Sequence, residues 1–78
     1  MTKSEVQAIL LDRDYFTLTE AKKEIKKLGF LSSPMRTTKR EYRFRQFNPN
    51  YKKYSYRIKH IKKGIEFIVE YDKHEKKR

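Results

Sequence analysis

Between Phe16 and Phe30 the chain carries a full set of helix boundary signals, and these fix where its one clear helix must lie. Thr17 suits the N-cap, Glu20 three residues on completes a capping box, and Phe16 can staple onto Ala21. Leu18, Ala21, Ile25 and Leu28 recur at spacings of three and four, which predicts one apolar stripe along a helix from Leu18 to Leu28. Gly29 fits the left-handed position that ends a helix, and Phe30 can fold back onto Ile25 as in a Schellman ending. Glu20 in the first turn and Lys26 and Lys27 in the last complement the helix dipole. Lys22, Lys23, Lys26 and Lys27 are expected on the solvated side.

Beyond Pro34 the pattern changes from helical spacing to alternation. Leu31 to Met35 reads as a connection, because Pro34 cannot extend the helix and biases Ser33 toward extended geometry. A strand from about Lys39 to Phe47 sends Tyr42 and Phe44 to one face and Arg43 and Arg45 to the other. Asn48-Pro49-Asn50 forms a turn. A strand from Tyr54 to Ile61 then separates Tyr54, Tyr56, Ile58 and His60 from Ser55, Arg57 and Lys59. Gly64 supplies the positive φ of a hairpin turn into a strand from Ile65 to Tyr71, in which Ile65, Phe67, Val69 and Tyr71 oppose Glu66, Ile68 and Glu70.

Two registers of that hairpin are compatible with the sequence. Pairing Ile61 with Gly64 sets Ile58 opposite Phe67 and keeps apolar and charged faces apart. A type I turn with a bulge at Gly64 pairs Ile61 with Ile65, sets Lys59 opposite Phe67 and suits the turn better, since Lys62 and Lys63 are poor at positive φ. Ahead of the helix, Ser4 with Gln7 can cap a short helix, or Val6 to Leu11 can form a strand buried on both faces. The strand is preferred, because Asp12 to Tyr15 then reads as a turn.

These elements predict a single α+β domain over residues 1–78, in the order β-α-β-β-β, with one helix packed on a small antiparallel sheet. The helix stripe is expected to meet Tyr42, Phe44, Ile58, Phe67 and Val69, and the charged tail from Asp72 to Arg78 to fray. With no cysteine, apolar burial must hold the fold, chiefly through eleven Phe and Tyr residues. No apolar run is long enough for a membrane helix, and Met1-Thr2-Lys3 opens no signal-peptide pattern.

The net charge of +11 is concentrated. Residues 36–63 hold eleven Lys and Arg against Glu41 alone, a net of +10, together with six of the eleven aromatics. Such a segment attracts polyanions, nucleic acid phosphates above all, with an acidic protein surface or anionic lipid headgroups as the other candidate partners. The expected platform is a sheet face bearing Arg43, Arg45, Arg57 and Lys59, with Lys52, Lys53, Lys62 and Lys63 at the loop tips. Phe47 and Tyr51 either stack on unpaired bases or pack at a strand rim. Catalysis finds no support: His60 and His74 are the only histidines, no metal-ligand spacing surrounds them, and no cofactor motif is present. His60 is expected at the core or its rim, and Glu66 and Glu70 are expected to pair with Arg57 and Lys59 across the sheet.

At Phe16-Thr17-Leu18, Glu20-Ala21, Leu28-Gly29-Phe30, Tyr42-Arg43-Phe44-Arg45-Gln46, Tyr56-Arg57 and Gly64-Ile65 the chain resembles a small domain found in proteins of tailed phages and large DNA viruses. It departs from that pattern at Ser32-Ser33-Pro34 and Lys52-Lys53-Tyr54. The resemblance implies a viral origin, in the virion or inside a host cell, and a helix followed by an antiparallel sheet. It carries no catalytic residues. The function expected is nucleic acid binding, DNA or RNA, through phosphate contacts. A virion assembly protein, or a viral factor docking on an acidic host surface, is the alternative.

Overall fold

The computed structural model describes residues 4–72, which form six elements around one apolar core. Strand β1 (Ser4–Asp12) leads through a turn into helix α1 (Leu18–Lys27), followed by β2 (Met35–Thr37), β3 (Glu41–Arg45), β4 (Tyr54–Lys62) and β5 (Ile65–Asp72). The strands make one antiparallel sheet in the order β2-β3-β1-β5-β4, with the helix on one face. This is the expected α+β arrangement with one strand more. The segment 31–35 is not wholly a connection, because Met35 begins β2 and pairs with Phe44. Residues 73–78, most of the expected tail, lie outside the described residues.

Local signals account for the helix. The Thr17 hydroxyl accepts from the Glu20 amide at 3.2 Å and the Glu20 carboxylate accepts from the Thr17 amide at 2.9 Å, so two amides at the start are satisfied reciprocally. At the other end Gly29 takes φ +87°, and the amides of Gly29 and Phe30 donate to the carbonyls of Lys26 and Ile25, both at 3.0 Å. Phe30 then meets Phe67 edge to face, with ring centroids 5.5 Å apart.

The stripe is narrower than its spacing suggests. Ala21 and Ile25 are fully buried, whereas Leu18 and Leu28 remain 36% and 39% exposed. A ten-residue helix is only about 15 Å long, so its middle turns sit over the sheet while its ends overhang. The flanking aromatics Phe16 and Phe30 pack against the core in place of the end leucines.

The central strand β1 is apolar on both faces. Ile9 and Leu11 join Phe44, Ile65, Ala21 and Ile25 beneath the helix. Ala8 and Leu10 turn to the opposite face yet are equally inaccessible, Ala8 lying between Arg45 and Ile68 and Leu10 between Arg43 and Glu66. A register shift between Val6 and Ala8 leaves Gln7 buried, where its side-chain amide donates to the Phe47 carbonyl at 2.6 Å. The strand reading of this segment holds, and its burial on two faces explains the unbroken apolar run.

The β4–β5 hairpin takes the bulged register. Lys59 lies opposite Phe67 and Arg57 opposite Val69, but the shift falls at Ile61, between His60 and Lys62, so Lys62 rather than Ile61 pairs with Ile65. Gly64 has φ +82° and no other residue type shows a positive φ among the described residues, so a turn needing two such residues is not formed. Turn chemistry therefore outweighs segregation of the faces. A shift of one residue moves every side chain to the other face, and Ile58, expected in the core, is 60% exposed.

Candidate nucleic-acid interface

The bulged register divides the expected platform. Arg43, half-buried, and Arg45, exposed, point away from the helix, since Tyr42 and Phe44 between them pack toward it. Arg57 and Lys59 share their face with Val69 and Phe67, which is the helix side of the sheet. The four residues do not form one surface: two occupy the open face at β3 and two the opposite face at the edge strand β4.

The open face gains a residue that the sequence reading did not place there. Arg36 of β2 is the direct partner of Arg43, so the two guanidinium groups start from facing positions, with Arg45 two residues along. Together with Pro34 and Met35 these three arginines line a concavity of about 230 Å³. Like charges directly opposite each other in a ladder destabilise it. Among the described residues none of the three makes an ion pair; the pairs formed are His60 with Glu66 and Lys62 with Glu24. The signal for Arg36 was the short alternation Met35-Arg36-Thr37, which acquires meaning only once β2 pairs with β3.

Gln46 fixes the approach to this site. Its side chain accepts from the Leu31 amide at 2.8 Å and donates to the Leu31 carbonyl at 2.9 Å, tying the segment before β2 to the end of β3. Thr38 closes the turn between the two strands: its amide donates to the Glu41 carbonyl at 2.9 Å and its hydroxyl accepts from the Glu41 amide at 3.1 Å. The arginines therefore stand on strands whose connections are hydrogen-bonded at both ends.

The rest of the open face runs from apolar to acidic. Ile68 and Ile58 continue the row of Ala8 and Arg45, and Glu66 and Glu70 continue beside them on β5. Glu66 lies 3.0 Å from Nδ1 of His60, whose side chain is 80% exposed and so belongs to neither core nor rim. Glu70 accepts from the Tyr56 hydroxyl at 2.7 Å. Both carboxylates thus choose partners on the open face rather than Arg57 and Lys59, because register placed those two on the other side. Burial, then the neighbouring Glu70, hold the Tyr56 hydroxyl above the usual tyrosine value, although the Asn50 amide donating to it acts in the opposite direction.

The remaining expected residues fall into three settings. Lys52 and Lys53 are exposed in the turn before β4, with the Lys53 ammonium 5.8 Å from the centre of the Tyr54 ring. Lys62 stands 3.9 Å from Glu24, and Lys63 lies 5.7 Å from the Tyr15 ring, at the rim of a mixed-charge groove of about 590 Å³ floored by Leu10. That groove also carries Asp12, Glu41 and Glu66, so it lacks the single sign of charge that would draw a polyanion. Phe47 is half-buried at the end of β3, a rim position. Tyr51 is 64% exposed and rests edge-on against Tyr56, 5.1 Å between centroids.

Among the described residues no group of His, Asp or Glu is arranged to hold a metal ion, and no helix is long and apolar enough to cross a membrane. Comparison with known protein families, curated proteins and solved structures finds no match to this chain.

Proposed function

We propose that this protein is a nucleic-acid-binding module that grips phosphates through Arg36, Arg43 and Arg45 on the open face of its sheet. The observation that carries the reading is the like-charge cluster itself: facing arginines that have no carboxylate counterion among the described residues disfavour the free protein and favour an anion-bound one. Lys52 and Lys53 extend the positive field at the loop before β4, and Tyr51 offers a stacking surface beside them. Arg57, Lys59 and Lys62 on the far side raise the general attraction and do not share the contact surface. A viral setting, as the resemblance implies, belongs to the same proposal, and no step of catalysis is part of it.

The test is a binding titration against single-stranded DNA, duplex DNA and RNA at two salt concentrations. With about five phosphate contacts, log affinity falls against log salt with a slope near −4 to −5. Raising salt from about 50 to about 200 mM then weakens binding several hundred-fold. A protein partner with an acidic surface is the second reading, favoured by Ile58, 60% exposed beside Ile68 in an apolar row next to the arginines. Absence of binding to every nucleic acid at low salt transfers the arginines to carboxylates.

A further inference from the structure

We infer that the concavity formed by Arg36, Arg43 and Arg45 is a pocket for the terminal phosphate of a nucleic acid strand, a phosphomonoester rather than an internal diester. The inference rests on the nucleic-acid reading and specifies what that site selects. An internal phosphodiester carries one negative charge, and a chain of them is matched by single cations spaced along a surface, as Lys52 and Lys53 are. Here three arginines line one concavity of about 230 Å³. Two of them come from directly paired positions on β2 and β3, and the third lies two residues along the same face. A phosphomonoester supplies what this arrangement lacks. It carries about −1.5 to −2 charges near neutral pH and three strong acceptor oxygens, enough to engage more than one guanidinium fork.

The surroundings support a terminus. Pro34 and Met35 complete the lining and give it an apolar side against which a terminal sugar can rest. Glu41, the next residue on this face of β3, lines the separate groove with Arg40 and Asp12. Glu66, across β1 from Arg43, is engaged by His60. Among the described residues neither carboxylate pairs with the three arginines.

The experiment compares one short labelled strand in four forms: 5′-phosphorylated, 3′-phosphorylated, hydroxyl at both ends, and the hydroxyl form with inorganic phosphate added as competitor. Each is titrated at low salt against the parent protein and against Arg36→Gln and Arg43→Gln. The expected result is that one phosphorylated form binds roughly tenfold or more tightly than the hydroxyl form, the size of one charge-assisted contact. Either substitution abolishes that preference, and inorganic phosphate weakens binding of the hydroxyl form no more than chloride at the same ionic strength does. Folding is not at risk, because each substitution removes a like-charge neighbour; the melting curve of each variant checks this. Equal binding of all forms overturns the terminal-phosphate inference and leaves the nucleic-acid reading standing. No binding of any form overturns both. Competition by inorganic phosphate against the hydroxyl form beyond the effect of chloride at matched ionic strength also overturns the inference, since the pocket would then be holding internal phosphates.

Discussion

Two groups of basic side chains come from the same +10 segment and end on opposite faces of one sheet. Arg36, Arg43 and Arg45 line a concavity and have no carboxylate partner among the described residues. The group on β4 is spread along an edge strand and partly accommodated: the Arg57 guanidinium lies 5.6 Å from the centre of the Tyr71 ring, and Lys62 is 3.9 Å from Glu24. Net charge treats the groups as equal. Geometry does not, because only the first gathers around one concavity, whereas the second is strung along an edge strand, where cations commonly discourage edge-to-edge pairing.

The sharpest way to break that contrast is charge reversal on each face. Arg43→Glu with Arg45→Glu should weaken binding of an end-phosphorylated strand by about a hundredfold or more, the loss of two charge-assisted contacts. Arg57→Glu with Lys59→Glu, an identical change in net charge, should weaken it only by the general attraction. Binding assays on the two double variants at one salt concentration decide it. Equal losses would mean that total charge, not the open face, governs binding.

A second test separates the faces through stability. Ile25→Ala truncates a fully buried side chain and should cost about 2–5 kcal/mol. Ile58→Ala, on the open face of β4, should change stability by no more than about 0.5 kcal/mol. Denaturant melts of both measure the difference. A large loss for Ile58→Ala would return Ile58 to the core and Arg57 and Lys59 to the open face.

Gly64 holds the register that keeps the groups apart. A Cβ there would sit 2.9 Å from Cβ of Tyr15 and 3.1 Å from Cε2 of Phe16, on a backbone at φ +82°. Gly64→Val should therefore destabilise by about 1–3 kcal/mol from the backbone alone, with further loss from the crowding. Thermal melts read the total; a variant as stable as the parent would mean that another turn serves equally well.

How much of this was legible depends on how far apart the deciding residues lie. Thr17, Glu20, Gly29 and Phe30 fix the helix from within fifteen residues, and the caps formed as their spacing required. Tyr42 and Phe44 turned inward because alternation within one strand is also local. The face of Arg57 was not legible, because it follows from a bulge set by Gly64, and Gly64 is held against Tyr15 and Phe16, some fifty residues earlier. Arg36 was missed for a related reason. Nothing in Met35-Arg36-Thr37 announces a strand until β3 offers it an edge. Leu18 and Leu28 satisfied the helical spacing, but spacing gives direction and not reach, and the sheet ends before they do.

The smallest expected effect tests the contrast without any ligand. If the three arginines repel one another in the free protein, removing one charge should stabilise it, which is unusual for a substitution. Arg36→Gln should raise stability by a few tenths of a kcal/mol, up to about 1 kcal/mol, the range for directly opposed residues in a ladder. The gain should shrink as salt rises from about 0.01 to about 1 M, because the screening length falls from roughly 30 to roughly 3 Å. Lys62→Gln removes a charge of the same sign from the other group and should give no gain, since Glu24 stands beside it. Urea melts of both variants at the two salt concentrations measure these differences. A gain for Lys62→Gln equal to that for Arg36→Gln would mean that relief of the overall +11 charge, and not local crowding, sets the effect. The arginine concavity would then lose its claim to be a built anion site.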